Sequence, residues 1–256
     1  MILFNFITTT VKSVVLPEKC VKSGTIALTF DDGPTTYTEE ILRILDENDV
    51  PGTFHFSPQY LIKPKIAAIA NDAADRGNEI GLRVAPQRSY DDMDKEEVKE
   101  EVEAQRNTIE NAADVDLKYI RAPVEDGIPN ANLYEVMKEL DLVQSSYTIC
   151  IYHEIDSEDQ LESYLNNLFN ASNPKYDSFI FLMHDEKEKS FPTLQEVIDK
   201  GKEKGYTFVT MSDCLEGYEP GTFVRPSSDG KQASNVKNSS NKLHNPGSRI
   251  FSMLFL

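Results

Sequence analysis

The chain has 256 residues, of which 39% are hydrophobic and 27% charged, and 43 acidic against 26 basic side chains leave a formal net charge of −17. This length supports one large α/β domain or two small ones. The acidity argues against nucleic acid or an anionic membrane as the main partner, and no run approaches the roughly 20 apolar residues of a transmembrane helix.

The chain opens on an apolar stretch (Ile2, Leu3, Phe4, Phe6, Ile7) broken by Asn5 and lacking a basic n-region. This is an incomplete signal-peptide pattern, and residues 1–19 are set apart on that account. Thr25 to Phe30 is a β-rich run that stops at Asp31-Asp32-Gly33-Pro34. A helix follows, with Thr36 and Glu39 at capping-box spacing and Ile41, Leu42 and Leu45 at helical period. Gly52 to Phe56 reads as a second strand, Lys65 to Arg76 as a helix ended by Gly77, and Glu79 to Val84 as a third strand. His55 lies in the alternating second strand and is expected to be packed.

Asp94 to Ala112 is a long acidic helix with Val98, Val102 and Ile109 on its inner side. Tyr119 to Arg121 is a brief strand and Asn132 to Leu140 a helix. Val143 to Ile151 is apolar and β-branched. Gln160 to Asn170 is a helix, Phe179 to Met183 a buried strand, Leu194 to Lys204 a helix and Thr207 to Thr210 a last strand. Such alternation favours a mostly parallel sheet of about seven strands with helices outside, either open or closed into a barrel. In both, reactive groups belong in loops after the strands, where Asp31, Asp32 and His184 stand.

Beyond Tyr218 the composition shifts to Pro, Gly, Ser, Asn and Lys, so residues 219–256 are read as a flexible tail and 20–218 as the folded domain. Small residues at Ser239-Ser240, a polar spacer and the end Ile250 to Leu256 sketch a lipid-anchor signal, but that end is shorter than the about 10–20 apolar residues required. Sequons occur at Asn170 and Asn238. The three cysteines, Cys20, Cys150 and Cys214, exclude a purely disulfide-built scaffold. Cys20 and Cys214 flank the folded region, and a bridge between them would tie its ends in an oxidising compartment; otherwise all three are small buried hydrophobes.

Adjacent carboxylates at Asp31-Asp32 suit cation binding or base chemistry, yet a DDGP turn is also an ordinary way to end a strand. The surrounding motifs carry more. Leu28 to Pro34, Gly52-Thr53-Phe54-His55-Phe56, Asn78-Glu79-Ile80-Gly81, Tyr119 to Pro123, Asp156-Ser157-Glu158-Asp159, Phe181 to Asp185 and Lys204 to Met211 stand in order over residues 20–216. Together they resemble the polysaccharide deacetylases of carbohydrate esterase family 4, which act on chitin, chitooligosaccharides and peptidoglycan.

The resemblance implies a distorted (β/α) barrel and metal-assisted hydrolysis of an N-acetyl group. In that family one Asp and two His hold a divalent metal, usually zinc, a second Asp is the base and a His the acid. Carried over, Asp31 matches the base, Asp32 the metal-ligand Asp, Arg121 the base-orienting arginine, His184 the acid and Asp156 its support. Leu182 and Pro123 match substrate-binding positions. The metal histidines do not carry over, because Arg83 and Gln87 stand in their places. Val124 replaces a tyrosine of the oxyanion site and Gln160 the tryptophan that follows Asp159.

Zinc needs three protein ligands and an open position, and Asp32 alone does not supply them. Gln87 offers a neutral carbonyl, while the Arg83 guanidinium is permanently charged and repels a dication. No metal or other cofactor is therefore expected. The expectation is a secreted or surface-located homologue, impaired or inactive, that binds an acetylated glycan such as chitin or chitooligosaccharide. The alternatives are a working N-deacetylase with an atypical metal set or a metal-free route through Asp31, His184 and Arg83, and a scaffold acting through protein contacts.

Overall fold

A computed structural model describes residues 15–86, 88–125, 128–155, 157–185 and 190–230. In chain order the elements are β1 (Thr25–Asp31), α1 (Thr36–Asn48), β2 (Thr53–Phe56), α2 (Pro64–Asp75), β3 (Glu79–Arg83), α3 (Lys95–Ala113), β4 (Tyr119–Arg121), β5 (Val124–Glu125), β6 (Ile128–Pro129) and α4 (Ala131–Glu139). They continue with β7 (Val143–Gln144), β8 (Ile149–Cys150), α5 (Ile151–Glu154), α6 (Leu161–Ala171), β9 (Phe179–His184), α7 (Ser190–Lys204), β10 (Thr207–Val209) and α8 (Met211–Cys214). No described helix is long and apolar enough to cross a membrane.

Eight parallel strands form one sheet in the order β7-β4-β3-β2-β1-β9-β8, with β10 added beside β1. The run from Val143 to Ile151 thus holds two strands, β7 and β8, at opposite ends of this path. Four residues join them, a reach of roughly 17 Å, whereas seven flat strands would put the ends about 29 Å apart. The sheet therefore has to curl through at least about half a turn, into a distorted barrel. β10 adds to the distortion. It pairs with Thr25 to Ala27, while β2 pairs with Thr29 to Asp31, so the two share one edge of β1 and β9 takes the other.

Strand alternation sends side chains to two different layers. Ile26, Leu28, Phe30, Phe54, Phe56, Leu82, Phe181 and Met183 face outward and pack under the helices in the main apolar core. Inward positions are smaller or polar. At the barrel's lower end Ala27, Tyr119 and Ile180 meet Met211, Leu215 and the Cys20–Cys214 disulfide in a second cluster. The Cα atoms of that disulfide lie 4.4 Å apart across 194 residues of sequence. α8 plugs this end: the Met211 amide donates to Thr53 Oγ1 at 3.0 Å and the Ser212 amide to Glu79 Oε2 at 2.8 Å.

Local boundaries shift for identifiable reasons. The α1 cap is Thr35, one residue before the expected Thr36, and its box closes with the Thr38 hydroxyl rather than Glu39. Residues 219–230, assigned to the tail by composition, are tied to the start of the domain: the Ser23 amide donates to Ser227 O at 2.9 Å and the Ser227 amide to Val21 O at 3.0 Å. Backbone pairing, to which composition is blind, holds this piece. The apolar N-terminal run, Asn238 and the Ile250 to Leu256 end lie outside the described residues, whereas Asn170 is exposed at the end of α6.

Candidate active site

The upper ends of β1, β2, β3, β4, β8 and β9 deliver one cluster of polar side chains into the barrel. Asp31 pairs in register with His55 on one side and His184 on the other. Arg83 pairs with Arg121. Residues in register in a parallel sheet point to the same face, so strand geometry alone gathers these groups.

Asp31 is 1% exposed and is the centre of the cluster. His55 Nδ1 lies 3.1 Å from its Oδ1, Arg83 Nε 3.6 Å and Arg121 Nε 3.8 Å from its Oδ2. Burial by itself would raise this carboxyl, but the Arg121 charge, the His55 imidazole and the Arg83 charge outweigh it and hold Asp31 well below the usual carboxylate range. His55 is buried, and burial and the Arg121 charge keep it neutral despite Asp31.

Asp32 turns the other way because its φ is +74°, in the left-handed region that Asp tolerates better than most residues. Its Oδ1 accepts from Arg83 Nε at 3.0 Å and its Oδ2 from His184 Nδ1 at 2.8 Å. Burial works against His184 charging, but the Asp32 hydrogen bond, the Cys150 thiol and the two carboxylates push it up to about 9. Gly33 completes the turn: a Cβ there would lie 1.9 Å from Asp185 Oδ2. Asp185 is wholly buried, accepts from the Thr38 hydroxyl at 2.7 Å and is pushed up to about 8, first by burial and then by the Asp31 charge.

Arg121 is buried and donates through Nη2 to Thr29 Oγ1 at 3.1 Å. Its guanidinium carbon lies 5.8 Å from the centre of the Tyr147 ring. Arg83 donates Nη1 to the Arg121 carbonyl at 3.2 Å. His184 also meets the Tyr152 ring at 5.8 Å. The Tyr152 hydroxyl is 2.6 Å from Ser190 Oγ, which donates in turn to the His184 carbonyl.

These residues do not fit the divalent metal that the resemblance implies. Arg83 Nε occupies the lone pairs of Asp32 at 3.0 Å, and a permanent cation stands where a ligand is required. Asp32, the one matching ligand, is also engaged by His184. Among the described residues no group of three or more His, Cys, Asp or Glu is arranged to hold an ion.

The structure brings together Asp31, Asp32, Arg83, Arg121 and His184, with Leu182 and Cys150 buried beside them on paired strands. Pro123 follows β4 at the rim, and the exposed Val124 opens the β5–β6 hairpin. Gln87 and Asp156 lie outside the described residues, as does His153's side chain. Sequence reasoning treated His55 as packing only, although it is both buried and in the cluster. Its register opposite Asp31 was the missing signal. Thr29, Tyr147, Tyr152 and Asp185 were not singled out at all.

A curled parallel sheet with an acid–base cluster at the C-terminal ends of its strands defines a distorted (β/α)-barrel architecture with its polar site where such folds carry theirs. The family model for polysaccharide deacetylases matches residues 18–145, and the chain belongs to that family. It is 28% identical over 214 residues to a bifunctional xylanase/deacetylase of Pseudobutyrivibrio xylanivorans, covering 83% of this chain and 33% of that protein. It is also 28% identical over 216 residues to the chitin deacetylase of Colletotrichum lindemuthianum, covering 77% of this chain and 82% of that one.

The solved structure of the chitin deacetylase from that fungus superposes with a TM-score of 0.69 at 23% identity, covering 79% of this chain and 92% of the other. A pseudoenzyme of the same family from Bacillus anthracis has the same fold, with a TM-score of 0.65 at 19% identity, covering 78% of this chain and 69% of the other.

Proposed function

We propose that this polysaccharide deacetylase homologue binds a polymer of the N-acetylglucosamine type without deacetylating it at a useful rate. One observation carries the reading: Arg83 Nε sits 3.0 Å from Asp32 Oδ1, the position from which a metal would have been held. A hydrogen-bonded cation can orient a carbonyl, but it does not bring water toward a pKa of about 7 as bound zinc does. The remaining base is weak as well. Asp31 is held in its ionised form by three neighbouring nitrogens, which lowers its drive to take a proton from water.

Two further points support the setting. A pseudoenzyme exists on this fold. The Cys20–Cys214 bridge favours an oxidising compartment, which agrees with a secreted or surface location. The test is acetate release from chitooligosaccharides, measured beside metal content and glycan binding. Binding without acetate or stoichiometric metal is the expected result. Acetate release that Asp31→Asn abolishes would instead favour the second reading, a metal-free route through Asp31, His184 and Arg83, which the strand register that sets Asp31 beside His184 supports.

A further inference from the structure

The sheet path starts at β7, and only one side of that strand carries a sheet neighbour, β4. Against β7, residues 15–16, α4 and residues 218–220 enclose a cavity of about 160 Å³. Val15, Tyr134, Met137, Leu142 and Tyr218 give it largely apolar walls. Gln144 pairs in register with Ile120, whose side chain packs in the core under the helices. It therefore points to the outer face of the sheet, opposite to the face that carries Asp31 and Arg121.

Gln144 brings an amide into this lining. It is 5% exposed, yet neither its Nε2 nor its Oε1 has a hydrogen-bond partner. Turning the amide over changes nothing, because both ends are unpaired. Native proteins seldom bury a donor and an acceptor side by side with neither satisfied. A cavity with apolar walls and one convergent polar group is also the usual make-up of a small-molecule site.

Size, charge and hydrogen bonding together define what fits. An apolar cavity of about 150 Å³ admits a benzene, so this one takes a single six-membered ring with a small substituent. Lys138 and Asp141, exposed at the mouth, are opposite in sign, and Lys138 also meets Glu135 at 3.5 Å. Nothing there draws an ion, and the apolar walls penalise one. The Gln144 amide presents N–H and C=O along one edge, so its full complement presents C=O and N–H along one edge too. A primary carboxamide or a lactam does this. The N-acetyl group of a sugar does not, because its trans amide holds N–H and C=O on opposite sides.

We propose that the cavity between α4 and β7 is a binding site for a small neutral carboxamide or lactam, read by Gln144. This site goes beyond the glycan reading and does not depend on it.

The experiment is NMR titration of the intact protein, following the buried Met137 methyl group, with benzamide and 2-pyridone as probes. Toluene and N-acetylglucosamine are the comparisons, the first matching shape without the amide and the second carrying only a trans amide. Saturable Met137 shifts with benzamide or 2-pyridone are expected, with toluene and N-acetylglucosamine weaker. Gln144→Leu should weaken benzamide about tenfold and leave toluene unchanged or tighter.

The absence of a saturable shift with both amide probes overturns the proposal. So does toluene binding as tightly as benzamide, which would leave Gln144 with no part in recognition, or N-acetylglucosamine binding more tightly than either. These comparisons use the wild-type protein, so they decide the matter even where Gln144→Leu fails to fold. A folded Gln144→Leu protein that keeps full benzamide affinity also overturns it.

Discussion

At the scale of single residues, the cluster is a set of charges that depend on one another. Among the described residues Asp31 is the only buried anion paired with Arg121, so Asp31→Asn leaves a buried guanidinium without that counter-charge. A loss of about 3–5 kcal/mol is expected in chemical denaturation. The double change Arg83→His with Gln87→His should allow one zinc per chain, measured by elemental analysis, because it removes the competing cation and supplies the missing nitrogen ligands. No gain of zinc would mean that the loop after β3 does not place residue 87 as the family does.

Two pH effects run in the same direction. His184 titrates at about 9 when folded, above the 6.5 of a free imidazole, so its contribution is whole below about pH 6.5 and is lost as pH rises through 9. Asp185 titrates at about 8 instead of 3.8, so folding binds a proton there and stability falls as pH rises from about 4 to 8. Asp185→Asn keeps a group that can accept from Thr38 and removes that titration. Its stability should match wild type near pH 5 and exceed it by about 1–3 kcal/mol at pH 9, read from urea midpoints. An unchanged slope between pH 5 and 9 would exclude Asp185 as the titrating group.

At the scale of elements, the sequence revealed most strands and helices, because alternation and helical period survive in them. β1, β2, β3, β4, β9 and every helix of eight residues or more lie within a few residues of where patterning places them. Two features stayed hidden. Val143 to Ile151 was read as a single run, although Gln144, Ser145 and Ser146 interrupt its apolar residues and Ser145 to Thr148 form the passage between the sheet's two ends. The β5–β6 hairpin has strands too short for a period, although the Asp126-Gly127 dipeptide between them was a usable turn signal.

Motif spacing placed Asp31, Asp32, Arg83, Arg121 and His184, but not their partners. His55 and Thr29 join through strand register, which no local pattern encodes. Gly81 shows how tight that layer is. A Cβ there would stand 2.7 Å from both His55 Cδ2 and the Tyr119 carbonyl. Gly81→Ala should cost about 1–3 kcal/mol by thermal or chemical denaturation, with the loss centred on His55.

At the scale of the whole molecule, three devices close the barrel: the β7-to-β8 passage, the α8 plug and the Cys20–Cys214 bridge. The bridge leaves Cys150 as the one free thiol, and it is buried. A thiol assay is therefore expected to find no accessible group in the native protein, one after denaturation and three after reduction. Replacing Cys20 and Cys214 by serine should cost about 2–5 kcal/mol.

The placing of β10 has a consequence for synthesis. Thr25 is emitted from the ribosome long before Thr207, its partner in the ladder. At about 5–20 residues per second, the lower edge of the first strand stays open for roughly 10–40 s. Throughout that wait the nascent chain carries unpaired backbone that a passing strand could claim, an exposure that ends only when β10 emerges.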